Sequence, residues 1–183
     1  MVSRLIKRLK RNQRGVAAIE FGLSLPFLVL LMFGVVEITR FILVAQMVTN
    51  VSRTMADLSS QGKTMTSAEL TSLFSAIKFV AKPFDIQADG KVFVSSISVV
   101  GSDTPDMNWQ QSHGDLVGVS SAIGIPGNLL TLPNGFTVRE GYTVIAAEAF
   151  YDFNPIAFTW IVPPRRVYRA SFFRARLGAL TSL

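Results

Sequence analysis

The sequence has no cysteine and a single histidine, and only 16% of its 183 residues are charged. The absence of cysteine excludes disulfide bonds and thiolate metal sites, and it is compatible with a folded part in either the periplasm or the cytoplasm. A charged fraction below the typical quarter, together with a mean hydropathy of +0.39, favours a membrane segment attached to a soluble domain. The chain is long enough for one domain and one such anchor.

The net charge of +6 is concentrated at the two ends of the chain. Five arginines lie among the last twenty residues, and six basic residues with no acid precede Gly15: Arg4, Lys7, Arg8, Lys10, Arg11 and Arg14. Because this basic block adjoins an apolar run, it favours a membrane surface over nucleic acid as its partner. By the positive-inside rule, residues 1–14 are expected in the cytoplasm and the bulk of the chain outside.

The apolar run from Val16 to Val36 contains one charged residue in 21. A helix of that length spans about 31 Å, which matches a bilayer core of about 30 Å, so the run predicts a single transmembrane helix. A secretory signal peptide places its apolar region before the cleavage site. Here the small residue Gly15 comes first, so cleavage after it would remove the basic leader and leave the anchor on the mature protein.

Glu20 is the one charge in this run, and a charge at a bilayer centre costs about 2.5–3.5 kcal/mol. One interpretation places its carboxylate close enough to the interface for lipid headgroups to solvate it. The other pairs it with the ammonium that cleavage would create on Val16 of a neighbouring subunit, which would set axial register. Pro26 removes an amide donor and frees the carbonyl of Gly22, so a kink or local opening is expected there.

The residues around this junction form a specific arrangement. They are Arg14-Gly15, Ala17-Ala18-Ile19-Glu20-Phe21, Leu25-Pro26, and Phe33-Gly34 followed by Glu37. The arrangement resembles the TadE-like minor pilins (pseudopilins) of tight-adherence, Flp-type pilus systems. The resemblance implies a signal of Gly15, Val16, Glu20 and Phe21 that a prepilin peptidase recognises and cuts after the glycine.

Looser similarity to the family continues through the head of the chain. It rests on Asn108-Trp109, Thr131-Leu132-Pro133 with Gly135, the stretch 145–151 with Glu148, Asn154-Pro155 and the arginine-rich end. The chain departs from the family's Tyr-x-Arg-Pro-Arg ending, since it reads Phe173-Arg174-Ala175-Arg176.

The resemblance implies a non-enzymatic structural subunit that helps to assemble a pilus and has no cofactor or metal. Its expected partners are inner-membrane lipid, the prepilin peptidase, other pilin or pseudopilin subunits and the assembly machinery, with no nucleic acid. Its expected place is the bacterial inner membrane, as a single-pass protein with a cytoplasmic N-terminus and a periplasmic head. Whether it also enters the filament is left open.

Helical spacing continues beyond the span. No proline or glycine interrupts 35–61, and apolar residues recur on one face at Val44, Met47, Val48, Val51, Met55 and Leu58. We therefore expect the transmembrane helix to continue as an amphipathic spine, and Glu37 and Arg40 to form an ion pair at the outer interface. Thr66 and Glu69 fit a capping box that predicts a second helix at about 67–80.

Strands are predicted at 92–100, 107–110, 142–153 and 167–175, with a loop over 112–134. The order predicts an α+β fold, in which a small antiparallel, pilin-like sheet packs on the spine. Trp109, Phe150, Tyr151 and Phe153 are expected in its core. The predicted domains are a leader at 1–15 that is expected to be cleaved, a transmembrane helix at 16–36, a periplasmic helix extension at 37–61 and a head at 62–183.

The polar loops offer little chemistry. His113 with Asp115 or Asp103 could be drawn as a Ser–His–acid assembly, but nothing in the sequence positions a nucleophile or an oxyanion hole. Asp103, Asp106 and Asp115 could contribute to a calcium site, but they have no recognisable loop pattern and are expected to be solvated turn residues. Two alternatives to the pilin hypothesis stay open: an unprocessed bitopic envelope scaffold, and a membrane-tethered hydrolase that uses His113.

Overall fold

The computed structural model describes residues 14–99, 101, 104–133 and 136–183, without the side chain of Arg14. Its elements are α1 (Arg14–Gln61), α2 (Ser67–Val80), β1 (Gly90–Ser98), β2 (Asp106–His113), β3 (Thr143–Phe153) and β4 (Arg165–Arg174). A long N-terminal helix is followed by a four-stranded antiparallel sheet. The α+β prediction is confirmed.

The chain divides into two compact units. The first, which we term the anchor unit, is Met1–Arg40 with Pro155–Pro163; the second, the head unit, is Phe41–Asn154 with Pro164–Leu183. Helix α1 therefore contributes to both units, and residues 155–163, which the sequence analysis placed in the head, group with the apolar part of α1. The predicted domain boundaries remain predictions.

Within the head unit, α1 buries one face. Val44, Val48, Val51 and Met55 are at most 1% exposed, as the apolar spacing predicts. The inclusion of Leu58 in that face is wrong, because its side chain is 39% exposed. In the last two turns of α1, three small residues are buried: Ala56, Ser59 and Ser60. The buried face is therefore rotated around the helix at this end, and Leu58 lies outside the core.

Helix α2 begins at the predicted capping box. The Thr66 hydroxyl accepts a hydrogen bond from the Glu69 amide (3.2 Å), and the Glu69 carboxylate accepts one from the Thr66 amide (2.8 Å). The hydrogen bond from the Thr66 amide to the Glu69 carboxylate is the largest cause that holds the pKa of Glu69 below its usual value. The helix ends at Val80, and Leu70, Phe74 and Ile77 form its buried face, so the prediction for 67–80 is confirmed.

The sheet has the order β2-β1-β3-β4, and every neighbouring pair is antiparallel. The central strands β1 and β3 are almost wholly buried, and all four predicted core aromatics are less than 9% exposed. Strand β2 is longer than predicted, pairing with β1 from Val92↔His113 to Ser98↔Asp106. The polar composition of β2 did not indicate this length. Its polar side chains form hydrogen bonds across the pair, as Gln110 does by donating to Ser95 (2.9 Å).

A buried acid on β3 fastens a loop to the sheet. Glu148 is fully buried, and its carboxylate accepts hydrogen bonds from the Ser121 hydroxyl, the Ala122 amide (2.9 Å) and the Tyr168 hydroxyl (3.0 Å). Burial, followed by the charge of Glu148, raises the pKa of Tyr168. The tyrosine therefore stays a hydrogen-bond donor, and the carboxylate keeps its three donors.

Replacing this acid should destabilise the head unit. We expect Glu148→Ala to lower the free energy of unfolding by about 2–5 kcal/mol, because it removes a fully buried carboxylate that accepts three hydrogen bonds, and a hydrogen bond to a charged group is worth about 1.5–3 kcal/mol. The control is Asp152→Ala, which removes a partly exposed ion pair with Arg166 and should cost about 1 kcal/mol or less. Denaturant unfolding of the full chain in detergent measures both changes, and equal losses in the two variants would contradict the prediction.

Candidate processing and assembly site

The predicted cleavage residues lie in the first turns of α1. The helix begins at Arg14, and the side chains of Val16 and Phe21 are 52% and 60% exposed. A Cβ atom placed on Gly15 would meet nothing within 4 Å. Packing of the described residues therefore does not require glycine at this position.

Val16 and Glu20 lie four residues apart and so share one face of α1. Glu20 is exposed among apolar side chains, with Ile19 66% and Leu23 68% exposed beside it. Among the residues that the structure describes, no hydrogen-bond or ion-pair partner for Glu20 is found. The predicted topology residues Arg4, Lys7, Arg8, Lys10 and Arg11 lie outside those residues, and Arg14 is described by its backbone alone.

Helix α1 provides an apolar surface that this chain leaves uncovered. Within Gly15–Gln61, the most apolar window has a mean hydropathy of 2.3, and 11% of that window is buried. Residues on all sides of the helix are exposed there, whereas the core helix of a soluble domain would be largely covered. The α-helix continues without a break through Pro26. Such a helix suits a membrane anchor and is compatible with a single-pass protein.

Glu37 is the centre of a polar cluster in the anchor unit. The predicted ion pair is confirmed, with Arg40 Nη1 at 3.5 Å from Glu37 Oε2, but Glu37 is only 1% exposed. Its other oxygen, Oε1, accepts hydrogen bonds from the backbone amides of Ile156 (2.6 Å) and Ala157 (2.7 Å). The carboxylate is thus bound on both oxygens, as burial of a charge requires.

The two amides belong to Pro155–Pro163, which we term the apolar loop. The ring of Phe158 packs edge-on against Phe33, with centroids 5.6 Å apart. A Cβ on Gly34 would lie 3.5 Å from Ile161 Cδ1. Phe33, Gly34 and Glu37 are among the residues that carry the resemblance, and the loop covers the face that they share.

This loop is not among the elements predicted from the sequence. A signal was present, because 155–163 has no charged residue and is bounded by prolines, which is unusual for a solvated connection between strands. Its partner on the helix could not be found from spacing alone, since the Glu37 contacts join residues 119 and 120 positions apart.

The hydrogen bonds between Glu37 and the apolar loop can be tested by substitution. We expect Glu37→Ala to speed hydrogen exchange at the Ile156 and Ala157 amides by roughly 10- to 100-fold, because each loses a charged acceptor worth about 1.5–3 kcal/mol. Glu37→Gln retains a carbonyl acceptor and should lose much less protection. Exchange measured on the full chain in detergent micelles decides it, and unchanged protection in Glu37→Ala would show that the loop is held by other contacts.

In the head unit, His113 takes part in an aromatic contact. Its ring stacks on Phe74, with centroids 5.2 Å apart and planes inclined by 17°, at a cleft of about 260 Å³. Asp115 instead accepts a hydrogen bond from Gln87 (3.1 Å). Within the described part of the chain His113 has no bond to Asp115 or to a serine, and Asp103 lies outside it. The structure thus shows ring stacking at His113, not an acid–base pair.

Of the aspartates considered for calcium, Asp103 lies outside the described residues, and Asp106 and Asp115 have separate partners. The Asp106 carboxylate accepts from the neighbouring Met107 amide (2.8 Å), and Asp115 is bound to Gln87. Over the described ranges, no three His, Cys, Asp or Glu side chains come close enough to hold a metal ion.

Most C-terminal arginines have partners in the head unit. Arg166 binds Asp152 through two nitrogens (2.6 and 2.8 Å) and holds the pKa of that carboxyl below its usual value, and Arg176 pairs with Asp57. The guanidinium carbons of Arg165 and Arg174 lie 5.2 Å from the ring centroid of Phe41 and 3.7 Å from that of Tyr142, respectively. Arg169 lines an open groove of about 520 Å³ beside α1, together with Arg53.

Comparison with known proteins yields a match in the N-terminal part of the chain. Residues 15–57 match the family model described as TadE-like protein. No curated protein and no solved structure matches the chain. The matched segment begins at Gly15 and includes Glu20, Pro26 and Glu37. The resemblance inferred from the residues around the junction is therefore confirmed: over residues 15–57 the chain is similar to the TadE-like family.

Proposed function

We propose that this protein is a minor pilin-like subunit that supports assembly of a tight-adherence, Flp-type pilus and is cut by a prepilin peptidase after Gly15. The TadE-like match associates the chain with such pili as a structural component. The observation that supports cleavage after Gly15 and a minor pilin-like role is the junction itself. The apolar run 16–36 directly follows a glycine whose Cβ position has nothing within 4 Å, and the one charged residue of that run, Glu20, lies one turn beyond the new N-terminus.

The proposed topology follows from the position of the charges. The basic leader lies in the cytoplasm, 16–36 crosses the inner membrane, and the head lies in the periplasm. Cleavage after Gly15 removes six positive charges from the cytoplasmic side and leaves the anchor intact. The mature subunit then remains in the membrane but loses the residues that attract it to anionic lipid, at about 1 kcal/mol for each basic residue.

Cleavage also supplies a partner for Glu20. The new ammonium on Val16 lies one helical turn, or about 6 Å, from the depth of Glu20. A neighbouring subunit shifted by that distance along the helix axis places its ammonium beside this carboxylate. At a separation of 4 Å and an effective dielectric constant near 20, such a pair gains about 4 kcal/mol, which is enough to set the register of two apolar helices that otherwise slide freely.

Substitution of Gly15 should block processing without disturbing the anchor. We expect Gly15→Leu to enter the membrane normally, since a side chain there meets no neighbour, and to remain uncut. Gly22→Leu is the matched control, because Gly22 also has nothing within 4 Å and lies in the same helix. N-terminal sequencing of the protein from its own host should give Val16 for the wild type and the control. A wild-type chain that still begins before Gly15, with the peptidase present, would instead indicate an unprocessed bitopic scaffold.

Substitution of Glu20 should separate insertion from assembly. We expect Glu20→Ala to insert at least as well as the wild type, because a cost of up to about 2.5–3.5 kcal/mol disappears, and to lose most pilus formation because the register pair is missing. Ser24→Ala is the control, since Ser24 lies one turn further along and its hydroxyl donates to the Phe21 carbonyl of the same helix (3.0 Å). Membrane fractionation and counts of surface pili are the measurements, and normal pili in Glu20→Ala would refute the register role.

A further inference from the structure

We propose that the apolar loop is a second membrane-contacting element, which lies in the boundary between lipid headgroups and acyl chains beside α1. This inference rests on the membrane anchoring of α1 in the proposed function. The occupant of the exposed loop surface is the lipid bilayer itself.

The composition and exposure of the loop support this placement. Its sequence, Pro-Ile-Ala-Phe-Thr-Trp-Ile-Val-Pro, has no charge, and Ile156 and Trp160 are 72% and 66% exposed. Large apolar side chains grouped in one short loop are costly in water and mark a binding surface. Tryptophan is enriched at the membrane–water interface, where its ring is apolar and its N–H can still reach water or headgroups.

The contacts of the loop give its level on the helix. Ile156 and Ala157 bind at Glu37, and Phe158 packs against Phe33, so the loop descends along α1 by about 6 Å toward the N-terminus. At that level the helix exposes its own apolar side chains, with Met32 and Val35 55% and 56% exposed. Loop and helix therefore form one continuous apolar surface within the anchor unit.

Contact with lipid is less costly where backbone polar groups are satisfied, and three amides of the loop have acceptors within the anchor unit. The amides of Ile156 and Ala157 are bound by Glu37, and the amide of Ile161 donates to the Phe158 carbonyl (3.1 Å). Proline contributes no amide at either end of the loop. Glu37 thus positions the loop and removes two donors that would otherwise require water.

The absence of cysteine allows a direct test with a single introduced label. Ile156→Cys, carrying an environment-sensitive NBD fluorophore, is placed in the full chain and reconstituted into phosphatidylcholine–phosphatidylglycerol vesicles with ordinary or brominated acyl chains. We expect a blue-shifted emission that loses intensity in brominated vesicles and is protected from aqueous iodide. Val117→Cys, at a position in the head unit that is 81% exposed, is the control and should be quenched by iodide only.

A third label separates this proposal from the anchoring on which it rests. Leu30→Cys lies in the apolar part of α1 and should be quenched by brominated lipid if the helix spans the bilayer. Quenching at Leu30→Cys without quenching at Ile156→Cys would overturn the loop proposal alone, whereas loss of both would remove the membrane span as well. The vesicles contain no peptidase or pilin, so a failure of the pilus proposal does not affect either result.

The two native tryptophans give a label-free measurement. Trp109→Phe leaves Trp160 as the reporter, and Trp160→Phe leaves the buried Trp109 as its control. We expect brominated lipid to quench Trp160 and not Trp109. Quenching of Trp160 by iodide would show that the loop lies in water. Trp160 could also be protected from both quenchers and lose that protection when the protein is diluted among vesicles, which would show that a second copy covers the loop. Either result overturns the proposal.

Discussion

A carboxylate that leaves water needs hydrogen-bond donors or an opposite charge, and this constraint distinguishes three acids of the chain. Glu37 is bound by two loop amides and Arg40, and Glu148 by a hydroxyl, an amide and a tyrosine. Each of these acids holds a loop in place within its own unit. Glu20 lies in an apolar helix surface and has no such donor among the described residues. In the processed subunit that we propose, from which the leader has been cut, its partner would come from lipid, water or another subunit.

The parts of the fold that were predicted correctly depend on local signals. The capping box at Thr66 and the apolar spacing after it gave the limits of α2, and the Glu37–Arg40 pair followed from a separation of three residues on one helix. The full length of β2 was missed because its stability comes from pairing with β1, not from its own polar side chains. The apolar loop was missed for the same reason, since its site on α1 depends on residues more than a hundred positions away.

The C-terminal arginines show that a basic block in the sequence can find partners within the folded head unit. In the sequence they form a basic block that is typical of a solvated strand face and could instead contact acidic partner surfaces or lipid headgroups. In the head unit Arg166 and Arg176 are paired with acids, and Arg165 and Arg174 lie against aromatic rings. Pairings of this kind arise between strands and helices that are distant in sequence, so the block alone could not reveal them. Arg169 donates a hydrogen bond to the Tyr168 carbonyl (2.8 Å) and, together with Arg53, lines the open groove.

The position of the apolar loop also bears on how deep Glu20 lies. If the outer boundary of the hydrocarbon core lies between Phe33 and Glu37, a core of about 30 Å extends back along α1 by about 20 residues, to positions near the proposed cleavage site. Glu20 then lies roughly 5–10 Å inside the inner boundary, where a carboxylate is costly but can be tolerated during insertion. Under the proposed function, a single subunit can therefore remain in the membrane, and the ammonium of a neighbouring Val16 lowers that cost when two processed subunits meet. Glu20 would then favour association only after cleavage.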